Sequence, residues 1–286
     1  EMRPDRRLVF NANSHEAPTR IDIYPNGRVE WKAGNKRHGW VSLDNITYSV
    51  KTGTVLSLKS RCTKSSNPKW RAPSYSKSGN TVMLGGLSYC SYAGETHIAT
   101  LPAGHRPAKT LVFTANAHTQ AARINIHTNG KVIWIAGGGQ YHGWVSLDGI
   151  AFNLPGVQKT AVKLIGGCKA FNVGFAAPTV SSDNGTIRVS GLLTCPFRNG
   201  HEHNLGILPS NMRPAKQLVF DLFAGNRSVR IDVLPNGNIR LVSGRDWRVT
   251  QKIAGLGKIK TYGASWLSLD GISFAASGTK PIAFKW

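Results

Sequence analysis

Acidic residues are scarce in this chain: 14 Asp and Glu stand against 36 Lys and Arg among 286 residues, a net charge of +22. Chemistry by paired carboxylates therefore has little to draw on. The sequence also lacks a Gly-rich phosphate loop, a His-Glu-x-x-His motif and a nucleophile elbow, so nothing in it points to an enzyme or a cofactor. No stretch reaches the roughly 18–20 consecutive apolar residues of a membrane-spanning helix, and the N-terminal residues carry no signal-peptide pattern. No window of about 11 residues or more holds an i, i+3, i+4, i+7 stripe, which argues against a helical fold. Cysteine is limited to four residues, with neither a Cys-x-x-Cys motif nor a Cys/His cluster at ligand spacing, so no metal site is expected.

What is abundant is positive charge, and its default meaning is an anionic partner. Acidic or sulfated polysaccharide, teichoic acid, nucleic acid and an anionic membrane surface all qualify, and a solubilising coat is the alternative. The basic residues are scattered and nowhere form the Lys/Arg block of about 5–8 residues typical of nucleic-acid tails. This ranks nucleic acid behind a cell-surface glycan.

Internal repetition carries most of the information. A unit A opens with Arg3-Pro4 and Leu8-Val9-Phe10, continues through Arg20-Ile21-Asp22-Ile23, Asn26-Gly27 and Trp31, and closes with Trp40-Val41-Ser42-Leu43-Asp44. It recurs from Arg106-Pro107 to Trp144-Val145-Ser146-Leu147-Asp148, and again from Arg213-Pro214 to Trp266-Leu267-Ser268-Leu269-Asp270. Between the copies lies a second unit B, marked by Cys62, Ala72-Pro73 and Cys90, then by Cys168, Ala177-Pro178 and Cys195. The predicted organisation is A over 1–50, B over 51–101, A over 102–154, B over 155–208, and A over 209–277 with an insertion at 245–263. A C-terminal strand at 278–286 resembles the opening of a further B unit and is expected to complete the first A unit, in the same chain or in a head-to-tail neighbour.

The fold class follows from alternation. Arg20 to Tyr24 and Arg28 to Trp31 alternate polar and apolar residues around Asn26-Gly27, and the other two copies repeat this around Asn129-Gly130 and Asn236-Gly237. Such a pattern predicts hairpins with tight primed turns. With 31 glycines and 14 prolines punctuating the chain, the reading is all-β: tandem β-sandwich or jelly-roll-like modules, each B unit joined to the following A unit. Three A copies can also pack around a pseudo-threefold axis.

The cysteines stand at matching places in the two B units, which favours Cys62–Cys90 and Cys168–Cys195 over the other two connectivities. Disulfides imply an oxidising location, secreted or on a virion surface. The recurring Asp44, Asp148 and Asp270 read as turn formers whose carboxylates accept local N–H bonds. His201 and His203 around Glu202 read as a solvated loop.

Candidate ligand contacts come from aromatic and basic residues near the variable loops 34–38, 137–142 and 244–263. They are Trp31, Lys36, Arg37 and His38 in the first copy, Trp134, Gln140, Tyr141 and His142 in the second, and Arg245, Trp247 and Arg248 in the insertion. Flat aromatic faces beside cationic donors suit stacking on sugar rings. Trp40, Trp144 and Trp266 recur in all copies and read as anchors of the core.

The run from Ile98 through Leu101-Pro102-Ala103-Gly104-His105-Arg106-Pro107, with the later Ser146-Leu147-Asp148-Gly149-Ile150, resembles modules of bacteriophage tail-fibre and minor tail proteins. The resemblance implies attachment or assembly and supplies no set of binding residues. The paired cysteines and the strong positive charge depart from that pattern. The leading expectation is a non-enzymatic, lectin-like binding protein for an anionic polysaccharide. A structural subunit of a fibre or virion shell, as a homo-oligomer, comes second, and a nucleic-acid binder third.

Overall fold

The computed structural model describes residues 2–15, 17–59, 61–91, 94–138, 143–171, 174–196, 202–225, 227–242, 248–253, 257–262 and 266–276. The protein is all-β, built from antiparallel sheets, with one short 3-10 turn at Ser210–Met212 and no α-helix among the described residues. Among the described residues no helix is long and apolar enough to cross a membrane.

Each A unit contributes a three-stranded meander in the same register. Leu8–Ser14 pairs with Ala17–Ile23 so that Leu8 faces Ile23, and Leu111 faces Ile126 and Leu218 faces Val233 in the other copies. The inward row of the first copy, Leu8, Phe10, Ile21 and Ile23, is buried, as strict alternation requires. The Asn-Gly corners differ from the predicted primed turns. Only the glycines are left-handed, at φ 87° for Gly27, 87° for Gly130 and 90° for Gly237. The Gly27 N–H donates to Tyr24 O at 2.9 Å and the Tyr24 N–H to Arg28 O at 2.9 Å, the pattern of a longer loop ending in a glycine bulge. The two-residue turns lie one hairpin earlier, after Ser14, Ala117 and Ala224.

The B units close over the A units that follow them. Leu56, Val82 and Leu84 share a core with Phe113, Ile124, Trp134 and Phe152, and Val162, Val180 and Ile187 share one with Phe220, Ile231 and Leu267. The last B strand also extends the A sheet: Thr96–Thr100 pairs with Lys131–Gly137, and His203–Ile207 with Asn238–Leu241. Around the third copy the result is an eight-stranded, nearly closed sheet.

The three A copies interlock in a cycle. Ser146 Oγ donates to Val9 O at 2.7 Å, and the Asp148 carboxylate accepts the Val9 N–H at 2.8 Å. Ser268 and Asp270 hold Val112 in the same way, at 2.7 Å each, and Ser42 and Asp44 hold Val219, again at 2.7 Å each. The second copy thus clasps the first, the third clasps the second and the first clasps the third, so their opening strands pack pairwise about a pseudo-threefold axis. The expectation of purely local turn bonds is corrected here. The hydroxyl of each serine does bond its own turn, but the carboxylates reach across the copy boundary.

Both disulfides are present, Cys62–Cys90 and Cys168–Cys195, with sequence separations of 28 and 27. Loops of this length contribute about 3–4 kcal/mol each by restricting the unfolded chain. Replacing either pair by serine is therefore expected to lower stability by a similar amount in chemical denaturation; a loss confined to one pair would contradict the equal-loop argument.

Candidate functional site

The corner of the first copy is built where the turn after Ser14 meets the loop after Gly34. His15 is held at φ 61°, a conformation that a bulky residue adopts only when its surroundings enforce it. Its ring stacks on His38 with centroids 3.8 Å apart, and Trp40 lies 6.2 Å away. Asn35 Oδ1 accepts the Arg37 N–H at 3.0 Å, which shapes the loop. Lys36, Arg37 and His38 are exposed around this stack.

The tryptophans of the clasp segments are roofed by arginines from the neighbouring copy. Arg230 lies 5.2 Å from the Trp40 ring, Arg20 lies 5.2 Å from Trp144 and Arg123 lies 4.5 Å from Trp266. Bidentate pairing with Asp22 aims Arg20, with Nε at 2.7 Å, and Asp232 does the same for Arg230 at 2.8 Å. In the second copy Asn125 accepts Arg123 at 2.9 Å, so the acceptor geometry survives without the charge. Trp144 packs with Val9 and Leu87, and Trp266 with Val112, Leu192 and Phe223, so these two sit at the joints between copies rather than in the main cores of their own units, where the sequence placed them.

The first joint extends into a longer stack. Arg7 lies 4.4 Å from Tyr24 and 4.1 Å from Trp70, Arg28 caps Tyr24 at 4.2 Å, and Arg20 lies 5.5 Å from Trp70. Buried Asp22 also pairs with Arg7. Aromatic faces and one carboxylate thus hold several guanidinium groups side by side. The Tyr24 hydroxyl and the Lys32 ammonium hold the Glu30 carboxyl down at about 2.

The predicted contacts fare differently. Lys36, Arg37 and His38 gather in the corner. Trp31 is half-buried, donates to Thr19 Oγ1 at 2.5 Å and has Lys36 Nζ 5.9 Å from its ring. Trp134 is wholly buried, with Nε1 donating to Gly137 O at 3.0 Å, and offers no face to a ligand. That expectation is corrected: a B unit covers the second copy, and the same strand position becomes core. Gln140, Tyr141, His142, Arg245 and Trp247 lie outside the described residues, as does the 278–286 segment. Arg248 opens a separate hairpin in which it pairs with Tyr262. His203 Nε2 lies 3.0 Å from Gly166 O, Glu202 pairs with Arg240 at 2.8 Å, and His201 lies outside the described residues. His203 approaches Cys168 and Cys195, but their sulfurs are bonded to each other and provide no thiolates for a metal.

Sequence reasoning missed His15, its counterpart His118 at φ 65°, and the arginine roofs. The signal was present: a histidine stands at the same turn position in two copies and an arginine at the same strand position in all three. His118 lies 6.1 Å from Trp144, while the third copy has Gly225 at φ 58°.

Comparison with protein-family models, with curated proteins and with solved structures finds no match.

Proposed function

We propose that this is a non-enzymatic extracellular or virion-surface protein that binds an anionic glycan through the corners of its A units. The observation that carries the reading is the first corner, where exposed Lys36, Arg37 and His38 surround a histidine stack seated on a strained turn beside Trp40. Cationic donors beside flat rings match a sulfated or carboxylated sugar, which presents charge at its edge and an apolar face. The two disulfides agree with an oxidising compartment.

Retention on immobilised heparin, competed by soluble sulfated sugar, tests this. The triple variant Lys36→Ser, Arg37→Ser, His38→Ser is expected to bind about tenfold more weakly, and Lys64→Ser with Lys69→Ser to change little beyond the general loss of charge. Equal losses from both variants would reduce the interaction to net charge and reject the corner.

A further inference from the structure

The three joints between A copies each place one arginine over one tryptophan, but they differ in charge balance. In the first copy Asp22 takes Arg20 at two points, Nε on Oδ1 at 2.7 Å and Nη2 on Oδ2 at 2.8 Å. Asp232 holds Arg230 in the same way, at 2.8 Å for both bonds. Each of these carboxylates also takes a donor from the residue just before the opening strand, Arg7 in the first copy and Gln217 in the third. The second copy has neither part of this arrangement. Asn125 stands in place of the aspartate and Thr110 in place of the outer donor, and the Thr110 hydroxyl lies 3.5 Å from His127 Nδ1.

Asn125 satisfies Arg123 only in part. Its amide oxygen accepts the Nε–H at 2.9 Å. An amide has a single acceptor atom, so beside Nη2, where the other copies put a second carboxylate oxygen, asparagine offers another N–H donor. The positive charge is left uncompensated. Glu95 attracts it from an exposed position, but among the described residues it makes no ion pair with Arg123. Burial pulls the Arg123 guanidinium down from its ordinary value, as befits a desolvated cation short of a counter-charge. The side chain is nevertheless partly exposed, with its guanidinium carbon 4.5 Å from the centre of the Trp266 ring. Stacking and the Nε bond thus fix the orientation of a cation that an ion from solution can reach.

We propose that the joint between the second and third copies is a binding site for an external oxyanion, a sulfate or carboxylate group, held by the Nη groups of Arg123 with Nδ2 of Asn125 as the adjoining donor. Both groups present two oxygens to the fork of a guanidinium, and either supplies the charge that Asp22 and Asp232 supply within the chain. The oxyanion comes as a free ion or as a substituent of an acidic sugar. This site is separate from the first corner and does not depend on the glycan reading.

Titration of the full chain with sodium sulfate at constant ionic strength, followed through the arginine Nε–H resonances, tests it. The Arg123 resonance, assigned by its absence from Arg123→Lys, is expected to shift and to saturate. Asn125→Asp gives the second copy the carboxylate with which the other two already fold, so this variant is expected to fold and to bind sulfate at least about tenfold more weakly. Lys64→Gln removes the same single positive charge at an exposed position and is expected to bind as the wild type does. An Arg123 resonance that does not saturate, unchanged affinity in Asn125→Asp, or an equal loss in Lys64→Gln would overturn the site. A sulfated disaccharide in place of sulfate separates the two sources. Tighter binding that Asn125→Asp again removes assigns the oxyanion to a sugar, and equal or weaker binding assigns it to the free ion.

Discussion

Replacing Asp270 by alanine is expected to lower the melting temperature by roughly 6–10 °C. Its two oxygens accept the Val112 N–H at 2.7 Å and the Gly191 N–H at 2.8 Å, both buried. Alanine strands both donors, and two unsatisfied buried N–H groups, less the relief of desolvating a carboxylate, come to about 3 kcal/mol. Asp148 has the same pair of partners, Val9 at 2.8 Å and Gly86 at 2.8 Å, and should behave alike. Asp44 is the internal control. It accepts one main-chain N–H from another copy, that of Val219, and sits in a more open joint, so Asp44→Ala should cost about 1 kcal/mol. If all three substitutions cost the same in thermal denaturation, the second bond, to Gly191 or Gly86, contributes nothing measurable.

The glycines of these clasps are fixed by the same geometry. Gly191 sits at φ 110°, and a Cβ there would come within 2.3 Å of Ala177 O, so a side chain would push apart the strands whose N–H must reach Asp270. Gly86 repeats this at φ 96° and 2.1 Å from Ala72 O. The position serves two purposes at once, close backbone approach and an amide aimed at the aspartate of the A unit that its B unit covers.

These clasps also mark the limit of what the sequence could disclose. Period-two alternation fixed the hairpins, and the repeat placed both disulfides, because strand pairing and cysteine placement are local or repeat with the unit. Ser-Leu-Asp, by contrast, reads as a turn because its short-range bonds are those of a turn. Nothing in its neighbourhood encodes a partner strand more than a hundred residues away, such as Val9 for Asp148 or Val219 for Asp44. The tryptophans show the same limit from another side. Trp31 and Trp134 occupy the same register opposite Ile21 and Ile124, yet only Trp134 is closed over by a B unit. Burial there is a property of the neighbouring module, which composition cannot report.

The second large effect concerns pH and arises on the pseudo-threefold axis. Asn11, Thr114 and Asp221 occupy equivalent positions on the three opening strands and are all buried, with Asn13 and Asn116 next along. Asn11 Nδ2 donates to Asp221 at 2.8 Å and Asn13 Nδ2 at 3.2 Å, while the side-chain oxygens of Asn11, Asn13 and Asn116 find no donor among the described residues. Burial pushes the Asp221 carboxyl from 3.8 up to about 7, against the pull of those amide donors. A raised folded-state value means that the folded chain keeps a proton the unfolded chain has released, so the associated stability is complete below about pH 4 and is lost as pH rises through 7. For a shift of this size the loss is roughly 4 kcal/mol. Asp221→Asn removes the titration and supplies a neutral amide that can donate to an orphaned oxygen. The variant should match or fall below the wild type at pH 4 and melt several degrees higher at pH 8. A weaker slope should remain in the variant, because burial also raises Asp270 to about 6 and moves Asp148 and Asp44 upward. The growing positive charge at low pH acts on both proteins alike, so the difference between their melting curves isolates the axis. Parallel curves from pH 4 to 8 would show that Asp221 is ionised in the folded protein and that its amide neighbours outweigh its burial.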